Sequence, residues 1–153
     1  MTLADGAWRG ARQEALLQRV AAARPCQHAR ERADGRGLEA RGIDERRLVF
    51  APLLPLQQHL SRLACADVYL DAWPCNAHTT AGEALWVGVP VVTLQGPTFA
   101  QRVASSLLHA VQLPELVCHD VEAYREMVLA LAADRSRREA LKAHLAAQQR
   151  TSP

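Results

Sequence analysis

The chain has 153 residues, enough for one ordinary domain and with little room for a second. Hydrophobic residues make up 49% and charged residues 22%, a composition that excludes a disordered chain. The formal net charge of +2 is too balanced to indicate binding to nucleic acid or to an anionic membrane surface. No apolar run is long enough to cross a bilayer, and the first residues lack the apolar segment of a signal peptide. We therefore expect a cytoplasmic protein.

Residues 1–46 are rich in arginine and alanine and show no convincing strand pattern. Residues 11–23 have apolar side chains at helical spacing, which predicts a helix. Residues 28–41 could form a second helix, although two glycines within that range weaken the interpretation.

From residue 47 onward, short β-type runs alternate with helical patterns, which indicates a parallel sheet with helices on both faces. The predicted strands cover residues 47–50, 67–71, 90–94 and 116–118. Four strands are few for a doubly wound sheet. We therefore expect the sheet to lack a strand that a complete domain would supply from before residue 47.

Five helices are predicted between and after these strands. They cover residues 56–65, 80–88, 98–111, 121–133 and 135–149. The third has a capping-box pattern, Thr98 followed by Gln101 three residues later, and is expected to bury Phe99, Val103 and Leu107. Asp120 and Asp134 are placed to cap the last two helices.

The four cysteines form no CxxC pair, and we expect most of them to be free, buried thiols. They are Cys26, Cys65, Cys75 and Cys118. Cys75 and His78 have the spacing of two zinc ligands, but further ligands would have to come from scattered positions. Those positions are His59, Cys65 and His109. No metal site is predicted.

The loop after the strand at 67–71 leads into a helix start that carries polar side chains. In open α/β sheets, ligands bind beyond the carboxyl ends of the strands, and a helix amino terminus suits a phosphate. His78, Thr79 and Thr80 lie where that terminus is expected. Glu83, one turn later, could accept hydrogen bonds from ligand hydroxyls. The structural alternative is a capping box between Thr80 and Glu83, which local spacing alone favours.

Two tryptophans flank the same segment. Both could provide a stacking surface for a base. The spacing favours burial for Trp86, because it lies on a helix that must bury one face, and leaves Trp73 open.

Longer motifs run from about residue 38 to the carboxyl terminus, and two of them are highly specific. They are Asn76-x-His78-Thr79-Thr80 and Leu85-Trp86-x-Gly88-x-Pro90. This part of the chain resembles the nucleotide-sugar lobe of the protein O-GlcNAc transferases, glycosyltransferase family 41. The resemblance implies the Rossmann-like, carboxyl-terminal lobe of a two-lobed, GT-B type enzyme, here incomplete. It sets residues 38–153 apart from residues 1–37, which match the family poorly.

The resemblance also implies residue roles. UDP-GlcNAc would be the donor substrate, with no metal, and GlcNAc would pass to Ser or Thr hydroxyls of proteins. The diphosphate would be held by His78, Thr79 and Thr80, and the ribose by Glu83. The uracil would be held by Leu54, His59 and Arg62. Cys75 would lie near the sugar.

Two departures from the family pattern qualify this reading. Leu56 stands where the family often has a basic or polar residue. Residues 1–37 do not match the preceding strand, which should carry a lysine that contacts the diphosphate, and the one lysine of the chain is Lys142. We therefore expect the carboxyl-terminal part of a longer enzyme, inactive alone, whose protein acceptor binds through a missing lobe and repeats. The alternative is a non-catalytic nucleotide-binding fragment or a vestigial interaction fragment.

Overall fold

The computed structural model describes residues 20–22 and 51–151. The strand predicted at 47–50, the helix predicted at 28–41 and Cys26 lie outside these residues. The division of the chain between residues 37 and 38 also stays a prediction.

Four parallel strands form one sheet in the order β1-β2-β3-β4. Their bounds are Val20–Ala22, Val68–Leu70, Val91–Leu94 and Val117–Cys118. In register, Val20 lies opposite Val68, Tyr69 opposite Val91, and Thr93 opposite Val117. All four residues of β3 are buried, so both faces of the sheet are covered there. The predicted α/β architecture is confirmed.

The strand β1 corrects the interpretation of the amino-terminal region. Residues 20–22 were expected to end a helix, and no strand was expected before residue 47; both expectations are wrong. The two alanines of this segment favour a helix, but parallel pairing with β2 overrides that preference, as tertiary context often does. This strand carries no lysine.

Within residues 51–151, five α-helices and two 3₁₀ turns connect and follow the strands. The helices are α1 Leu56–Leu63, α2 Thr79–Trp86, α3 Val103–Ala110, α4 Val121–Ala133 and α5 Arg135–Thr151. The 3₁₀ turns are Phe99–Gln101 and Pro114–Leu116. Among residues 20–22 and 51–151, no helix has the length and apolar character needed to span a membrane.

The region around Thr98 differs from its prediction. The Gln101 side chain accepts hydrogen bonds from the Thr98 amide and hydroxyl, as the capping-box pattern suggested, but it caps the 3₁₀ turn that precedes α3. Phe99 is 80% exposed, so its predicted burial is wrong. The tighter 3₁₀ turn breaks the helical period and takes Phe99 off the face that Val103 and Leu107 share.

The predicted caps of the last two helices are confirmed. Asp120 accepts a 2.7 Å hydrogen bond from the Ala123 amide, and Asp134 accepts one of 2.9 Å from the Arg137 amide. The buried Arg138 guanidinium donates to the carbonyl of Ala132 at the end of α4. These bonds satisfy backbone groups that a helix end leaves without partners.

Replacing Asp120 by alanine should lower the free energy of unfolding by about 1 kcal/mol, because the cap of α4 is lost. Urea unfolding measures this change. Asp120→Asn is the control, since asparagine caps helices about as well and should stay near the wild type. Equal losses in both variants would show that charge, and not capping, stabilises this helix.

Candidate nucleotide site at the start of α2

The buried carboxylate of Asp71 ties the loop 72–78 to the end of β2. Asp71 Oδ1 accepts a 2.7 Å hydrogen bond from the Ala77 amide. Asp71 Oδ2 accepts from Thr93 Oγ1 on β3 at 2.6 Å and from Asn76 Nδ2 at 2.8 Å. The Asp71 side chain, at the start of the loop, therefore also holds the end of the loop in place. Sequence reasoning missed this role, although an acidic residue directly after a buried strand was its signal.

Asn76 completes the same network from the loop side. Its Nδ2 atom also lies 2.9 Å from Thr93 Oγ1 and 3.0 Å from the Leu94 carbonyl oxygen. The Tyr124 hydroxyl on α4 donates to the backbone carbonyl of Asp71 at 3.1 Å. Loop, two strands and a helix thus converge on one buried polar cluster.

Burial raises the pKa of the Asp71 carboxyl above its ordinary value, although the hydrogen bonds from Thr93, Ala77 and Asn76 lower it. Desolvation also raises the pKa of Tyr69 to about 12. The Tyr69 hydroxyl donates to Thr80 Oγ1 at 3.1 Å, so a buried strand residue holds the first turn of α2.

The helix α2 begins at Thr79, and His78 is its N-cap. The capping box predicted between Thr80 and Glu83 is wrong, because no side chain caps this helix. The reason is tertiary: Thr80 bonds to Tyr69, and Glu83 faces His59 on α1. The first amides of α2 therefore have neither an intrahelical acceptor nor a side-chain cap.

His78 and Thr79 are both exposed at this helix start. His78 Nε2 lies 3.3 Å from the Ala100 carbonyl oxygen. The His78 ring meets the Phe99 ring edge-on, with 6.2 Å between centroids. The 3₁₀ turn after β3 thus holds the imidazole beside the free end of α2.

A groove of about 530 Å³ opens next to the helix start. The predicted residues His78, Thr79 and Glu83 line it. The other lining residues, which sequence reasoning did not assign, are Leu56, Leu60, Gly82, Trp86, Val103 and Leu107. The groove therefore combines one polar end with apolar walls contributed by α1, α2 and α3.

Trp86 belongs to this groove and is 66% exposed, so its predicted burial is wrong. The buried stripe of α2 consists of Ala81, Ala84 and Leu85, at helical spacing, and Trp86 falls beside it. Trp73, in the loop, is also exposed.

The structure brings three more predicted residues together beside Glu83. Arg62 donates from Nη1 to the Pro52 carbonyl oxygen at 3.0 Å and from Nη2 toward His59 Nδ1 at 3.3 Å. His59 Nε2 lies 3.4 Å from Glu83 Oε2. Leu54 is half-buried in the turn that Arg62 anchors. Two of the side chains predicted for uracil, Arg62 and His59, are thus linked by contacts to Glu83, which was predicted for ribose.

Cys75 is exposed in the loop 72–78 and does not line the groove. Cys65 is exposed too, so the predicted burial is wrong for both, while Cys118 is buried. Burial raises the pKa of the Cys118 thiol. All three thiols are free. In the described part of the chain, no three His, Cys, Asp or Glu side chains gather as metal ligands would.

Lys142 lies at the opposite end of β2. Its Nζ atom donates to the Ala66 carbonyl oxygen at 2.7 Å and lies 3.8 Å from Asp67 Oδ1, both ahead of the strand. The groove is at the carboxyl end of the same strand, so this lysine does not reach it.

Comparison with known proteins gives the family. The family model described as glycosyl transferase family 41 matches residues 28–153. The chain belongs to glycosyltransferase family 41. The match includes the loop 72–78, α2 and the groove beside it.

Two curated proteins are similar to this chain in sequence. The UDP-N-acetylglucosamine–peptide N-acetylglucosaminyltransferase of Caenorhabditis elegans is 40% identical over 94 residues, which are 61% of this chain and 8% of that protein. The probable enzyme of the same description, SEC, from Arabidopsis thaliana is 36% identical over 115 residues, 74% of this chain and 12% of that protein. The chain thus spans about a tenth of these relatives.

A solved structure of a mutant O-GlcNAc transferase from Thermobaculum terrenum matches with a TM-score of 0.75 and 38% identity. The match covers 82% of this chain and 24% of that chain. It confirms the expected Rossmann-like fragment of a two-lobed glycosyltransferase.

Replacing Asp71 by asparagine should lower the free energy of unfolding by about 1–3 kcal/mol, because a buried donor loses its acceptor. The pKa of Asp71 is raised in the folded state, so the folded state binds the Asp71 proton more tightly than the unfolded state does. The contribution of Asp71 to the free energy of unfolding is therefore greatest at low pH, and it declines as pH rises through the raised pKa. The stability advantage of the wild type over Asp71→Asn should therefore shrink with rising pH.

Urea unfolding at a series of pH values measures both effects. Asp67→Asn is the control, since this half-buried aspartate lies at the other end of β2, where it is 3.8 Å from Lys142 Nζ. An advantage over Asp71→Asn that grows with pH would contradict the role assigned to burial.

Proposed function

We propose that this chain is the UDP-GlcNAc-binding, carboxyl-terminal part of a protein O-GlcNAc transferase, which moves GlcNAc from UDP to Ser or Thr of proteins. The observation that carries the proposal is the uncapped start of α2, which opens into the groove at the carboxyl end of β2. Family membership and the names of the relatives support the choice of donor and of acceptor.

The diphosphate binds at the start of α2. Amides without partners and the helix dipole favour a negative charge at this position. His78 and Thr79 are exposed beside those amides and supply further polar contacts. The Thr80 oxygen already accepts from Tyr69, so Thr80 contributes through its amide and by fixing the first turn.

The nucleoside lies toward α1. Glu83, one turn into α2, binds the ribose through its carboxylate. The uracil contacts the backbone at Leu54 in the turn 51–55 and the side chains of His59 and Arg62. The contacts among Arg62, His59 and Glu83 support a single nucleoside site shared by both helices.

The sugar and the protein acceptor extend beyond the groove. Cys75, in the exposed loop ahead of α2, lies near the sugar. The acceptor binds through a second lobe and repeats that belong to the longer enzyme and are not part of residues 38–153. Exposed apolar side chains at the groove support a covering partner there: Leu56 and Trp86 line the groove, and Phe99 packs against His78.

This lobe assists transfer by stabilising the departing UDP. Negative charge develops on the diphosphate as the bond from the sugar to phosphate breaks. Amides and hydroxyls fixed by the fold stabilise that charge without having to reorganise. The Asp71 network supplies the fixed geometry, because it holds the loop that leads into α2.

Calorimetric titration with UDP tests the site. His78→Ala and Thr79→Ala should each weaken binding roughly tenfold to a hundredfold, because hydrogen bonds to a charged phosphate are lost. Ser106→Ala is the matched control, since this exposed hydroxyl on α3 donates to the Arg102 carbonyl of its own turn. Thr80→Ala is a poorer test, because it also removes the acceptor of Tyr69.

Two results would contradict the proposal. A double variant of His78 and Thr79 that binds UDP as tightly as the wild type would show that the site is misplaced. A wild-type chain that binds no UDP at millimolar concentration would favour the alternative, a vestigial or interaction fragment.

The purified 153-residue chain should transfer no GlcNAc to a peptide, because residues that bind the acceptor belong to other parts of the enzyme. Transfer of radiolabelled GlcNAc to a Ser/Thr peptide is the measurement, with a full-length relative as the positive control. Measurable transfer by the chain alone would show that it contains a complete acceptor site.

A further inference from the structure

Tyr69 is a buried side chain of β2 whose hydroxyl reaches the first turn of α2. Only 2% of the residue is exposed, and its hydroxyl oxygen lies 3.1 Å from Thr80 Oγ1. Among residues 20–22 and 51–151, Thr80 is the one hydrogen-bond partner of this hydroxyl. The buried phenol therefore depends on Thr80 for its hydrogen bond, because a buried polar group without a partner is costly.

The direction of this hydrogen bond follows from the same burial. If Thr80 were the donor, the Tyr69 proton would need a second acceptor, and none contacts it in the described part of the chain. Tyr69 is therefore the donor, and Thr80 Oγ1 accepts. Desolvation by burial raises the pKa of Tyr69 to about 12, so the phenol keeps this proton at neutral pH.

The Thr80 hydroxyl keeps its own proton for another acceptor. A hydroxyl has one proton and two lone pairs, and Tyr69 occupies the side of the Thr80 oxygen that faces the strand. Within residues 51–151, no side chain or carbonyl accepts the Thr80 proton. Thr80 is half-buried in the first turn of α2, directly after Thr79, which lines the groove. A donor without an acceptor thus lies beside the uncapped amides of the helix.

We propose that Tyr69 is a positioning residue for the diphosphate: by donating to Thr80 Oγ1, it directs the Thr80 proton toward a phosphate oxygen of the bound nucleotide. The inference rests on the proposed function, because it takes the start of α2 as the diphosphate site. It adds a contribution of the Thr80 hydroxyl to that of the Thr80 amide. It also gives a role in binding to a strand residue that does not touch the ligand.

The two hydrogen bonds act in series. A chain of hydrogen bonds polarises its members, so the bond from Thr80 to phosphate gains strength from the bond that Tyr69 donates. During transfer, negative charge grows on the diphosphate, and a proton that already points there stabilises the charge without reorganisation. Without the Tyr69 hydroxyl, the Thr80 hydroxyl rotates freely and its proton loses this fixed direction.

Calorimetric titration with UDP tests the role of Tyr69. Tyr69→Phe keeps the buried ring and removes the hydroxyl, and should weaken UDP binding roughly threefold to tenfold. Thr80→Val should weaken binding roughly tenfold to a hundredfold, because a hydrogen bond to a charged phosphate is lost. In the Thr80→Val background, Tyr69→Phe should have less than about a twofold further effect, because the two side chains act as one unit.

Ser105→Ala is the matched control. It removes another buried hydroxyl, whose 2.6 Å hydrogen bond to Gln95 Oε1 joins α3 to the segment after β3, and it should leave UDP affinity unchanged. NMR titration with uridine, which lacks phosphate, separates direction of the Thr80 proton from mere support of the helix. Glu83, the proposed ribose contact, lies on α2 as well, so a displaced helix would weaken uridine binding too. Tyr69→Phe should leave uridine affinity unchanged.

The outcomes separate this inference from the proposed function. Three results would overturn the role of Tyr69 while the UDP site stands. They are an unchanged UDP affinity in Tyr69→Phe or Thr80→Val, an equal loss of uridine and UDP affinity in Tyr69→Phe, and an undiminished effect of Tyr69→Phe in the Thr80→Val background. A wild-type chain that binds no UDP at millimolar concentration contradicts the proposed function, and this inference fails with it.

Discussion

The Asp71 carboxylate is the interaction on which the rest of the site depends. It is buried at the end of β2, and its hydrogen bonds draw the loop 72–78, β3 and the start of α2 into one arrangement. Burial of a carboxylate is unfavourable, and its raised pKa reflects that cost. The hydrogen bonds to this carboxylate hold the loop so that it enters α2 at a fixed position, with the first amides of the helix facing the groove.

Local patterns in the sequence predicted much of the fold. The strands β2 and β3 have continuous apolar runs, and the caps at Asp120 and Asp134 depend on residues only three positions apart. The strand β1 could not be predicted in this way, because its alanines favour a helix and only pairing with the distant β2 makes it extended. Phe99 was misplaced because a 3₁₀ turn changed the period locally.

In the candidate site, too, local sequence patterns predicted some residues and missed contacts between distant elements. His78, Thr79 and Glu83 were recognised from spacing and from the family motif, since they lie within one short segment. The contact between His59 and Glu83 joins two helices, and no local pattern reveals it. The role of Asp71 was missed for a similar reason, because two of its partners lie in the loop and a third lies on the neighbouring strand.

The position of β1 has a consequence for how the domain is delimited. The family match begins at residue 28, after β1 has already paired with β2. A chain trimmed to the match would therefore uncover the backbone of β2, a central strand of the sheet. Unpaired amide and carbonyl groups along a strand are a template for pairing with other molecules. The three residues of β1 thus make β2 an interior strand of the sheet, a structural role for a segment that lies before the family match.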